Sequence, residues 1–217
     1  MPAAKVITER VLCLRCLKSE LTCYCAQVRP FESDLQFILL QHPLERKRSI
    51  GTARMTHLCI RNSRLIAGVA FDDHPQVNEL LENSGNHCVV LFPSENSLNV
   101  SRLPPAEVKS GFPADRKLVI FVIDGTWANA KSMMRRSTKL SALPQICFTH
   151  EKESEYKIRK QPAKYCLSTI EAVHLLIEIL EPQVDSSILL EVFRTMVSQQ
   201  VTYAGNNQIR RVGARNL

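Results

Sequence analysis

The chain has 217 residues, of which 45% are hydrophobic and only 7 are glycine, and it carries a formal net charge of +7. This composition supports one ordinary domain with a substantial core and excludes collagen-like and disordered chains. The positive balance favours a polyanionic partner such as nucleic acid, and the apolar runs 37–40, 88–92 and 118–123 are too short to span a bilayer.

The first residues, Met1 to Leu14, lack the apolar run and small-residue cleavage site of a secretory signal. The expected compartment is therefore the cytoplasm, where thiols stay reduced, and the eight cysteines read as metal ligands or buried thiols before disulfides. Four of them fall in residues 1–30, which read as a small N-terminal element ahead of a larger domain at 31–217. Cys13-x2-Cys16 is a turn that brings two sulfurs onto one ion, and Cys23-x-Cys25 places two more on one side of an extended strand. Four thiolates so spaced suit a closed, structural, tetrahedral zinc site with no catalytic water. Iron–sulfur ligation and unrelated free thiols are the alternatives.

In the larger domain, residues 35–41, 64–71, 87–92, 117–123 and 145–148 read as strands, several of them apolar on both faces. Helical patterns fall between them at about 51–60, 76–83 and 125–139. The alternation predicts an α/β domain with a mainly parallel sheet and helices on both faces. Near the end, Ser168 and Glu171 have the spacing of a capping box that opens a helix. Asp185 is placed to cap a second helix, with Ile188, Leu189, Val192, Phe193, Met196 and Val197 on one face. The tail beyond Val201 is polar and basic and reads as a loosely anchored terminus or an RNA-contacting arm.

The most informative stretch runs from Leu118 to Lys131, where an apolar strand ends in Asp124, turns at Gly125 and enters a helix through Thr126 and Trp127. Ligands of open α/β sheets bind at the carboxyl ends of strands, where such an acid faces the crevice. The plainer reading makes Asp124 or Thr126 a helix cap and Trp127 a core anchor. No Gly-x-Gly-x-x-Gly loop follows any strand, so an ordinary dinucleotide site is not expected.

Asp124-Gly125-Thr126-Trp127 resembles the signature of the DTW-domain family. The likeness continues through the Cys-rich start, Gln41-His42-Pro43-x-Glu45, Gly51-Thr52-Ala53-Arg54 and Leu91-Phe92-Pro93-Ser94. It extends to Tyr156-x-x-Arg159-Lys160-x-Pro162 and Leu167-Ser168-Thr169-x-Glu171-Ala172. The resemblance implies a tRNA-uridine aminocarboxypropyltransferase that uses S-adenosylmethionine, with a fold related to the knotted SPOUT-type RNA methyltransferases. Competing readings are a SPOUT-like methyltransferase, a related transferase acting on ribosomal RNA, and a non-catalytic zinc-containing RNA-binding protein. Monomer and homodimer both stay open.

Under that resemblance, Asp124 is the candidate general base for uracil N3, or a fixed negative charge beside the cofactor's amino group. Thr126 and the free N–H groups after it could hold the cofactor's carboxylate. Leu91, Pro93 and Ser94, together with Leu167, Ser168 and Thr169, could wall the adenosine. Trp127 could stack on a base. Arg54, Arg159 and Lys160 are the leading phosphate contacts, with Arg46, Lys47, Arg48, Arg61 and Arg64 in the wider basic pool.

Overall fold

The structure is a computed structural model that describes residues 11–46, 50–104, 107, 110–150, 154–155 and 167–213, with side chains described to Thr202. Arg159, Lys160, Lys47, Arg48 and the segment 156–166 lie outside the described residues. Six strands form one sheet: β1 (Gln36–Gln41), β2 (Arg64–Ala67), β3 (Asn86–Leu91), β4 (Leu98–Asn99), β5 (Lys117–Asp124) and β6 (Gln145–Cys147). Their order is β2-β1-β5-β3-β6-β4, and every pairing is parallel.

The helices are α1 (Pro43–Arg46), α2 (Ala53–Cys59), α3 (Pro75–Glu82), α4 (Trp127–Arg136), α5 (Thr138–Ser141), α6 (Thr169–Leu180) and α7 (Ser187–Gly213). They cover both faces of the sheet, which is why the central strands are continuously apolar. On one face Phe37, Leu39, Ile120 and Val122 pack with Met55, Ile170, Leu176 and Phe193 from α2, α6 and α7. On the other, Ile38, Leu40, Val119 and Phe121 pack with Val77, Leu80, Met133 and Leu140 from α3, α4 and α5. Phe121 is fully buried, and a Phe→Ala change at such a site costs about 3–5 kcal/mol.

Local chemistry sets the helix ends. Pro75 opens α3, where its missing N–H has no cost. The Ser168–Glu171 capping box opens α6 as the spacing predicts, and Asp185 Oδ1 accepts from Ser187 N (2.9 Å) at the start of α7. Leu189, Val192, Phe193 and Met196 are fully buried, with Ile188 and Val197 packed beside them.

Two expected bounds change, one strand has no sequence expectation behind it, and the tail is helical. The strand expected over 64–71 stops at Ala67. There Gly68 N donates to Gln41 O (3.0 Å) and Phe71 folds under Gly68, where an added Cβ would lie 2.8 Å from the ring. The helix expected over 125–139 is broken at Ser137, whose hydroxyl accepts from Phe71 N (3.2 Å). Asp72 then caps α5 by accepting from Thr138 N and Lys139 N. β4 has only two residues, too few to show a periodicity. The tail beyond Val201, expected to be a loosely anchored terminus or an RNA-contacting arm, continues as helix to Gly213.

The cysteine element sits against the large core. Cys16 and Tyr24 are buried in the same cluster as Phe37 and Phe193, and Gln199 Nε2 on α7 donates to Cys23 O (3.5 Å). Among the described residues, no helix is long and apolar enough to cross a membrane.

Candidate active site

Because all the strands run the same way, the carboxyl ends of β1, β5, β3 and β6 share one edge of the sheet. A cleft of about 250 Å³ opens at that edge. The loop after β3 contributes Leu91, Phe92 and Pro93; the turn after β5 contributes Gly125 and Trp127. Cys147, Phe148 and His150 follow β6, and the opening of α6 brings Leu167, Ser168 and Thr169 across from them. This is the crevice that parallel sheets reserve for ligands.

Asp124 stands at the head of it. The residue is 6% exposed, and its carboxylate is held on both oxygens. Gln41 Nε2 donates to Oδ2 (3.0 Å), and Thr169 Oγ1 donates to Oδ1 (2.6 Å). Backbone atoms lock the same corner, where His42 N donates to Asp124 O (2.9 Å). A Cβ on Gly125 would lie 3.2 Å from Asn129 Cβ and 3.7 Å from His42 Cβ, so the turn needs a residue this small. Asp124 is therefore wired in behind the cleft lining, through Thr169, and is not the helix cap of the plainer reading.

Thr126 takes the cap instead: its Oγ1 accepts from Asn129 N (3.3 Å), and its side chain is not in the cleft lining. Trp127 lines the cleft 43% exposed, edge-on to Phe92 with ring centroids 6.2 Å apart, so it is no core anchor. Leu91, Pro93, Trp127, Leu167, Ser168 and Thr169 come together as expected. Ser94 does not join them; it turns into an exposed loop where its N donates to Ser97 Oγ (3.2 Å).

The sequence reading missed two supports. Gln41 stands in the sequence only as part of a motif, yet its position opposite Asp124 in the β1–β5 register makes it the carboxylate's neighbour. Glu171, 5% exposed, does more than cap α6. It accepts from Ser168 N (2.8 Å) and Ser168 Oγ (2.6 Å), and also from Ser154 Oγ and Glu155 N (2.8 Å). It thus fastens residues 154–155 to the cleft mouth, and a bidentate Arg194–Glu155 pair (both contacts 2.7 Å) ties the same point to α7. Pairings so distant in sequence leave no local spacing signal.

Away from the cleft, the sulfurs of Cys13, Cys16, Cys23 and Cys25 all lie within 4.8 Å of one another. Cys13 Sγ is 3.7 Å from Cys25 Sγ, and Cys16 Sγ is 3.6 Å from Cys23 Sγ. A tetrahedron with metal–sulfur bonds of about 2.3 Å has edges of about 3.8 Å, so the four thiols could hold one metal ion. The knuckle is tight: Cys13 N donates to Lys18 O and Leu17 N to Cys13 O, both at 2.7 Å, and Leu17 adopts φ 58°. A leucine in that left-handed conformation costs about 1–2 kcal/mol.

Backbone N–H groups of Cys16 and then Arg15 lower the Cys13 thiol to about 6, while burial raises Cys16 and Cys25. A divalent cation is what lets such thiols ionise together. The seven cysteines among the described residues are free thiols. Arg54 lies on this side of the domain, where its charge reaches Tyr24 and His57, and not in the cleft.

A model of the DTW domain matches residues 10–201. The chain belongs to the DTW domain family. A Drosophila melanogaster protein named tRNA-uridine aminocarboxypropyltransferase 2 is 32% identical over 180 residues, covering 80% of this chain and 68% of the relative. The Mus musculus protein of the same name is 27% identical over 80% of this chain and 57% of its own length. An Arabidopsis thaliana tRNA-uridine aminocarboxypropyltransferase A is 25% identical over 90% of this chain and 83% of its own. The chain thus spans little more than half the length of the mouse relative. No solved structure gives a significant match.

Proposed function

We propose that this DTW-domain chain transfers the 3-amino-3-carboxypropyl group of S-adenosylmethionine to N3 of a uridine in tRNA, releasing methylthioadenosine. The observation that carries the reading is the buried Asp124 carboxylate, fixed by Gln41 and Thr169 at the head of a cleft walled by the family-like segments. The names of the relatives in fly, mouse and Arabidopsis point the same way.

The sulfonium of S-adenosylmethionine carries three carbons, and only the one aligned with the nucleophile reacts. Uracil N3 bears a proton at neutral pH, so the transfer needs a base, and this reading gives that work to Asp124. Leu91, Pro93 and Leu167 offer apolar walls for an adenosine, and Trp127 an exposed ring face for a base. Ser168 and Thr169 open α6 and line the cleft, their hydroxyls donating to Glu171 and Asp124.

Zinc at Cys13, Cys16, Cys23 and Cys25 fits the donor set and is structural in this reading, fastening the N-terminal element against α7. Arg54, Arg159 and Lys160 serve as phosphate contacts for tRNA. A cytoplasmic location and the threaded chain path of SPOUT relatives complete the proposal.

Mass spectrometry of tRNA nucleosides after incubation with the protein and S-adenosylmethionine tests it. An aminocarboxypropyluridine with methylthioadenosine is expected. A methylated nucleoside with S-adenosylhomocysteine would make the chain a methyltransferase, and tRNA unchanged in mass would make it a binding protein.

A further inference from the structure

We propose that Thr169, not Asp124, meets the acceptor base, and that Asp124 receives the proton through the Thr169 hydroxyl; this rests on the transfer proposed above. Asp124 is 6% exposed and is absent from the cleft lining, whereas Thr169 is part of it. A ligand in the cleft therefore reaches the carboxylate by way of Thr169. The Thr169 Oγ1–Asp124 Oδ1 distance of 2.6 Å is that of a charge-assisted O–H···O⁻ bond. A hydroxyl has one proton, and this one is committed to Asp124, so only lone pairs of Oγ1 are left to face the cleft.

Such a group accepts from a ring N–H. It suits uracil, whose N3 carries a proton, and it opposes cytosine, whose N3 carries a lone pair. Thr169 therefore discriminates between the two pyrimidines at the atom that reacts. Its own position is fixed as the first residue of α6, behind the Ser168–Glu171 capping box. Gln41 donates to Oδ2 of Asp124 and Thr169 to Oδ1, so the relay runs to Oδ1.

The step balances. The N3 proton passes to Thr169 Oγ1 as the threonine's own proton moves to Asp124 Oδ1. The N3 electron pair bonds to the aminocarboxypropyl carbon next to sulfur; that C–S bond breaks, and its pair stays on sulfur, giving neutral methylthioadenosine. Asp124 returns its proton to solvent by the same route once product leaves.

Thr169→Val keeps the shape and removes the hydroxyl, while Thr169→Ser keeps the hydroxyl. Single-turnover transfer to tRNA and S-adenosylmethionine binding are measured for both, for Asp124→Asn and for the double variant Thr169→Val/Asp124→Asn. The relay predicts losses of about a hundred- to ten-thousand-fold in Thr169→Val and Asp124→Asn. Thr169→Ser should stay close to wild type, the double variant should be no slower than the slower single, and cofactor affinity should be unchanged.

Wild-type rates in Thr169→Val would overturn the relay, as would a Ser variant as slow as the Val variant. Losses that multiply in the double variant, or that reappear in cofactor affinity, would overturn it too. A wild-type chain that forms no aminocarboxypropyluridine would remove the transfer itself, and the relay with it.

Discussion

Gln41 stands opposite Asp124 in the parallel register of β1 and β5, and its amide donates to the carboxylate at 3.0 Å. The acid and its holder thus belong to one row of the sheet, buried together at the rim of the cleft. Gln41→Leu removes the donor while keeping an apolar side chain of similar length. It should destabilise the fold by about 1–3 kcal/mol, the cost of a buried polar group that loses its partner. Single-turnover transfer should fall about tenfold or more, equivalent to roughly 1.4 kcal/mol in the barrier. Urea melts alongside the kinetics separate the two effects.

The four-sulfur cluster should carry about one zinc per chain. Cys16→Ser should lower the metal content measured by elemental analysis and the melting temperature together, because metal binding and local folding are one equilibrium. A strong chelator should do the same to the wild-type chain. The fully buried Tyr24 should show the loss early, since it belongs to both the element and the core.

Binding to tRNA should weaken steeply between low and physiological salt. Arg54→Ala, Arg159→Ala and Lys160→Ala should each lower affinity for all tRNA sequences alike and reduce the salt slope by about one. Filter binding across a salt series measures both quantities.

Glu171→Ala should cost about 1–3 kcal/mol, because donors of Ser154, Glu155 and Ser168 lose this acceptor. By contrast, Arg194→Ala breaks only an exposed pair, with side chains 57% and 42% exposed, and should change stability by less than about 1 kcal/mol. Transfer should suffer more than stability in the Glu171 variant, since that residue fastens the cleft mouth.

Asp72 offers a pH test. The N–H of Lys139, and then Thr138, hold its carboxyl below the ordinary carboxylate range. A depressed folded-state value means stability that is present above about pH 4 and is lost as pH falls through the folded value. Asp72→Asn should flatten that acid limb in denaturant melts taken from pH 7 downward.

The layered α/β fold was legible because doubly buried strands such as 117–123 are apolar at every position and alternate with helical patterns. Asp124 was legible for the same reason: a charge that ends such a run has a crevice to face. The break at Ser137 was not, because it is imposed by Phe71 N, 66 residues away in sequence. Glu171's grip on Ser154 and Glu155 was hidden likewise, since the capping spacing already explained its presence. Thr126 and Ser94 looked like ligand contacts because hydroxyls at strand ends serve caps and loops as readily as cofactors.

β5 enters the sheet between β1 and β3, and this order shapes how the chain emerges from a ribosome. Gln41 and Asp124 are 83 residues apart, so at about 5–20 residues per second the partner of Gln41 appears roughly 4–17 s later. During that interval β1, and β3 once it has been made, wait with an unpaired apolar edge, the kind of edge that templates aggregation. The arrival of Lys117–Asp124 closes both edges and delivers the acid in the same event. A nascent chain therefore acquires its reactive carboxylate in the step that joins β1 to β3, while the edge of β3 that pairs with β6 is still open.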